Sequence, residues 1–157
     1  MDKSMQDHLQ GVIDELKNIV NEHPYHAFAL LTIVIEVLGK CLNSNPDWQH
    51  FEPKGVDFNK ALTDYKSLNK YLALNCLYNT LRCGMAHAFL PKEGIELVPD
   101  RNDLSSNTIG CKELYEDIIA AFNEIKAGNI SPTKDMSKSV LQVNDSLSGA
   151  TIDNKIV

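Results

Sequence analysis

Arginine and histidine stand five positions apart in the segment Arg82-Cys83-Gly84-Met85-Ala86-His87, the most chemically pointed stretch of the chain. Arginine brings a permanent charge and a planar fork that matches phosphate oxygens. Histidine titrates near neutrality and can both take and give a proton. Together they are the minimum for cutting an RNA phosphodiester without a metal. The imidazole deprotonates the 2′-hydroxyl or protonates the leaving 5′-oxygen, and the guanidinium steadies charge on the phosphorane. The plainer alternative is a solvated helix surface on which neither group does chemistry.

Leucines and other apolar residues around this segment recur at helical spacing, which predicts a helix over 72–90. On a wheel of about 100° per residue, Leu74, Leu77, Tyr78, Leu81, Met85 and Phe89 gather on one side, and Asn75, Asn79, Arg82 and His87 on the other. Arg82 and His87 then diverge by about 140°, a gap the long arginine stem can narrow. Gly84 and Ala86 leave the surface between them low. Glycine inside a helix costs about 1 kcal/mol relative to alanine, so Gly84 predicts a close approach by another helix or a ligand.

Glu36 lies in an otherwise apolar stretch with Thr32 and Lys40 at helical spacings. A buried carboxylate needs a partner, and either Arg82 or Lys40 would serve. If Arg82 is the partner, Glu36 orients it. Charge is also uneven along the chain. Between residues 54 and 92 six basic residues face only Asp57 and Asp64, although the whole chain carries −6. Such a local basic surface can attract a phosphate backbone. Lys66, Lys70 and Asn75 are its candidate RNA contacts, and a merely solvated face is the alternative.

The elements that must position these groups are mostly helices. Met5, Leu9, Val12, Ile13, Leu16, Ile19 and Val20 predict a helix over 4–22, with Ser4 as its cap and Pro24 opening the next. The stretch 24–42 is apolar around most of its circumference and therefore central. Two prolines and a lone Trp48 mark 43–55 as a loop. Asp57 is expected to cap a third helix reaching about Leu68. Pro91 closes the helix over 72–90. Residues 94–98 and 107–109 read as a small β-hairpin around a polar turn, and 111–126 as a last helix stopped by Gly128. The fold class expected is mainly α, a four- to five-helix bundle over 1–128 with a β-hairpin insertion. A polar tail over 129–157, mobile or partner-dependent, carries one candidate edge strand at 140–143.

Composition closes off several other classes. Of 157 residues 43% are hydrophobic and 23% charged, ordinary for one globular domain. Cys41, Cys76, Cys83 and Cys111 form no CxxC pair, so neither a disulfide framework nor a zinc ribbon is expected, and a reducing, cytoplasmic setting follows. Cys83 and His87 at i, i+4 would be two zinc ligands where structural sites use four, so no metal is expected. No Gly-rich phosphate loop appears, and no cofactor is expected. The first residues lack the basic start and apolar centre of a signal peptide. The apolar run 27–39 falls short of the roughly 20 residues a membrane span needs, so no membrane is expected.

The segment YNTLRCGMAHAFLP resembles the signature of the HEPN superfamily, an arginine followed by a histidine on the last long helix of a four-helix core. Surrounding elements, over roughly 5–126, match that arrangement. The resemblance implies a metal-independent endoribonuclease, or an inactive relative that binds RNA, nucleotide or a protein partner. By position, Arg82 would bind phosphate and His87 would be the acid and base. It implies a homodimer packed through the 72–90 helix, with both subunits' pairs lining one cleft, and a defence or toxin–antitoxin setting with an antitoxin-like protein partner. Active members often carry a polar residue after the arginine, where this chain has Cys83; Asn79, one turn earlier, is the candidate to substitute.

Overall fold

The structure is a computed structural model and describes residues 4–45, 47, 48, 50, 52–74, 77–100 and 107–138. It is mainly helical, with five α-helices and a small two-stranded sheet.

Helix α1, Met5–Glu22, starts where its cap dictates: the Ser4 hydroxyl accepts the Asp7 amide at 3.1 Å. Leu9, Ile13, Leu16 and Val20 form its buried stripe. Helix α2, Pro24–Cys41, opens with proline in its first turn, where the missing N–H costs nothing. It is the centre of the core, packed by α1, by α3 (Val56–Asp64) and by α5 (Cys111–Lys126). Phe28, Leu31, Ile35 and Leu38 on it are almost fully buried, each worth about 1.5–3 kcal/mol of apolar transfer. By length and hydropathy alone these 18 residues would qualify as a membrane span, yet half of the helix is buried inside this fold. Gly39 lets α3 approach: a Cβ there would lie 1.6 Å from the Asp57 carbonyl oxygen. Any side chain would push the two helices apart.

Asp57 is not a cap. Gly55 occupies that position, and Asp57 lies inside α3, buried, accepting the Asn43 side-chain amide at 2.9 Å. Helix α3 also ends at Asp64 instead of reaching Leu68. Tyr65 turns extended, is completely buried, and donates its hydroxyl to the Leu38 carbonyl at 3.0 Å.

The expected helix over 72–90 is broken. Residues Asn69–Ala73 form a 3-10 turn, Leu74 is extended, Tyr78–Arg82 form a π-turn, and Cys83–Ala88 is the regular α-helix α4, while 75 and 76 lie outside the described residues. The π-turn inserts an extra residue, so a uniform wheel cannot hold across it. Leu77, Leu81 and Met85 still reach the core, but Phe89 does not: it leaves the helix in the left-handed region (φ 53°) and is 60% exposed.

The hairpin expectation is also overturned. Strands β1, Glu96–Val98, and β2, Thr108–Gly110, run parallel, with Leu97 opposite Ile109. Much of the expected polar turn, 101–106, lies outside the described residues, as does the candidate strand at 140–143.

The tail boundary at 129 moves as well. Helix α5 ends as expected near Gly128, whose amide bonds the Ile125 carbonyl at 3.0 Å. The chain then packs on: Met136 is buried in the core, and the Met136 and Lys138 carbonyls accept the Gln6 and Met5 amides, both at 3.0 Å.

Candidate functional site

The Arg82 side chain reaches across to α2. Its Nε and Nη2 lie 3.0 and 2.9 Å from the same Glu36 oxygen, Oε2. Both side chains are mostly withdrawn from water, 23% and 14% exposed. Of the two partners open to Glu36 in the sequence, the fold selects Arg82. Arg82 is the last residue of the π-turn, and Leu81 beside it stays buried. The guanidinium also lies 6.0 Å from the centre of the Tyr78 ring, which packs against Phe58.

Beside this pair is an open cavity of about 210 Å³, lined by Ile33, Glu36, Val37, Lys40, Asp57 and Arg82. Lys40 donates to the Trp48 carbonyl at 2.9 Å, and Asp57 is engaged by Asn43. Glu36 accepts from Nε–H and pairs with Nη2, and the remaining guanidinium N–H groups find no acceptor among the described residues. Tyr78, Lys40, Asp57 and Ile33 are therefore site residues the sequence reading missed. Asp57 carried a signal, since it is one of two acids in a basic window, but it had the look of a cap.

His87 is exposed and does not line the cavity. Asn79 is exposed, Cys83 is half-buried, and Asn75 lies outside the described residues. The reason for Gly84 is internal. A Cβ there would lie 2.4 Å from the Leu90 carbonyl oxygen and 3.0 Å from the Lys92 nitrogen, and the Lys92 amide bonds the Thr80 carbonyl at 2.8 Å. The chain's own return turn, 90–92, fills the low surface expected to stay open beside Arg82.

Half of the basic window is spent on acids among the described residues. Lys60 pairs with Asp64 at 2.8 Å, and Lys70 with Glu113 and Asp117 at 2.8 and 2.7 Å. Partial burial opposes the Lys70 charge, but the hydrogen bonds to Asp117 and Glu113 outweigh it and hold its ammonium above the ordinary lysine value. Lys70 is thus not a free RNA contact in this fold, whereas Lys66 is exposed. The two acids that pair with Lys70 lie outside the window, invisible to a count along the chain.

No family model, curated protein or solved structure matches this chain. The site therefore rests on its own geometry. Among the described residues, no group of three or more His, Cys, Asp or Glu side chains is placed to hold a metal ion. Cys41 and Cys111 are core thiols: burial pushes them up to about 12 and about 11, well away from the reactive range. Burial, followed by the neighbouring Cys83, raises the Tyr78 phenol above its usual value, so it stays protonated beside Arg82.

Proposed function

We propose that this chain is a metal-independent endoribonuclease of the HEPN type that works as a cytoplasmic homodimer. The observation that carries the reading is the guanidinium of Arg82, fixed by Glu36 with N–H groups to spare at the edge of an open cavity. A guanidinium so held is pre-oriented for the oxygens of a phosphodiester, and Glu36 is its positioning residue.

The chemistry follows from the groups available. An imidazole of His87 removes the 2′-hydroxyl proton, the 2′-oxygen attacks phosphorus, and the 5′-oxygen leaves with a proton supplied by an imidazolium. Arg82 stabilises the charge gathering on the phosphorane. The product end is a 2′,3′-cyclic phosphate. Because His87 does not line the Arg82 cavity within one chain, the reading requires a second copy to bring an imidazole to it. Leu72, Phe89 and Leu90, exposed by 52%, 60% and 60%, are the apolar side chains of the 72–90 segment available to such a dimer. Defence or toxin–antitoxin biology, with an antitoxin-like protein partner, is the setting this activity fits.

The separation of His87 from the cavity, together with Cys83 after the arginine, favours a second reading: a non-catalytic module of the same kind that binds RNA, nucleotide or a protein partner. Incubation with mixed RNA in EDTA separates the two. The enzyme yields cyclic-phosphate ends, lost in Arg82→Ala and His87→Ala. A binding module shows salt-sensitive RNA affinity without fragments. If His87→Ala cuts as well as the parent chain, the catalytic assignment is wrong.

A further inference from the structure

The segment 130–138 crosses from the end of α5 to the start of α1 and buries a lysine on the way. The Thr133 and Lys134 amides bond the Cys41 carbonyl at the end of α2, at 3.0 and 3.3 Å, and Gln6 and Met5 hold the far end. The Lys134 side chain is only 4% exposed. Its Nζ donates to the Asn45 carbonyl and, at 3.1 Å, to the Asp47 carbonyl, and it lies 5.5 Å from the centre of the Trp48 ring. Backbone oxygens and an aromatic face thus gather round one ammonium, as they would round a free cation.

The loop collected in this way reaches the cavity beside Arg82 at two points. The Trp48 carbonyl accepts Lys40 Nζ at 2.9 Å, and Asn43 holds Asp57 at 2.9 Å. Lys40 and Asp57 both line the cavity. We propose that Lys134 is a positioning residue for the Arg82 cavity: its ammonium gathers loop 43–48, and the loop fixes Lys40 and Asp57 where the cavity needs them. Segment 130–138 is then a strap that ties the loop beside the cavity to the end of α2 and the start of α1.

Burial, and then the neighbouring Lys40, hold the Lys134 ammonium below the ordinary lysine value; Asp57, Asp47 and Cys41 offset this only in part. The two backbone carbonyls and the Trp48 ring stand in for the water that burial removes. The inference concerns the shape of the cavity and stands whether or not its ligand is RNA.

The test uses the full chain with Lys134→Ala and Lys134→Arg, read by hydrogen exchange and by the emission of Trp48, the one tryptophan. Expected in Lys134→Ala is a red shift of that emission and exchange at least about tenfold faster across both 130–138 and 40–58, from loss of charge-assisted hydrogen bonds. The amides of α5, and those of α1 beyond its first turn, should keep their protection, and Lys134→Arg, which keeps the donors, should restore the parent values. Faster exchange confined to 130–138, an even rise across all helices, or an arginine variant indistinguishable from alanine would each overturn the proposal. Should the alanine variant fail to fold, Lys134→Gln is read against the same outcomes.

Discussion

Removing the Glu36 carboxylate tests the geometry of the site without assuming any activity. The pair is mostly out of water, with both N–H groups of the fork converging on one oxygen. Its worth should therefore exceed that of an exposed ion pair, about 0–1 kcal/mol, and fall short of the 3–5 kcal/mol lost when a fully buried pair is broken. Hydrogen bonds to a charged group suggest about 1.5–3 kcal/mol for Glu36→Gln, which in a domain of this size lowers Tm by roughly 3–10 °C. Part of that loss reflects changes other than the pair. The cycle of Glu36→Gln, Arg82→Gln and the double variant isolates the coupling. Urea unfolding of the four proteins should give a coupling of at least about 1 kcal/mol. A coupling near zero would mean that Glu36 does not hold Arg82, and the pre-oriented guanidinium on which the function rests would go with it.

Gly84→Ala should cost about 1–3 kcal/mol, since its Cβ meets the backbone of the return turn 90–92 and no flexible side chain can yield; urea midpoints measure this. Phe89→Gly should raise stability by about 1 kcal/mol by relieving a left-handed φ at a residue that buries little. If Phe89 serves the proposed dimer, the same change should weaken self-association in sedimentation velocity. Alkylation at pH 8 followed by peptide mapping should find Cys83 modified well before Cys41 and Cys111, whose thiols burial keeps protonated; equal rates would place the core thiols in contact with solvent.

Local chemistry made much of this fold readable. Ser4 caps α1, Pro24 opens α2, and helix α5 occupies Cys111–Lys126 as its periodicity required, because each signal acts within a few residues of itself. The buried centrality of α2 followed from apolar residues around most of its circumference. The wheel over 72–90 failed for a matching reason. It assumes one uniform period, and the π-turn over Tyr78–Arg82 breaks that period where Arg82 meets Glu36. The hairpin failed because short strands flanking a polar turn read the same whether they pair antiparallel or parallel.

Residue types and spacing alone fixed the candidate chemistry: an arginine and a histidine on one segment, and a carboxylate on an apolar helix in want of a partner. Only the tertiary structure decided which groups meet. It joined Glu36 to Arg82 and cancelled Lys70 with Glu113 and Asp117. It also drew Lys134 from the apparent tail into the loop beside the cavity and left His87 on the surface. Charges distant along the chain act only once folding brings them within a few ångströms and strips away their water, and no count along a sequence can supply that distance.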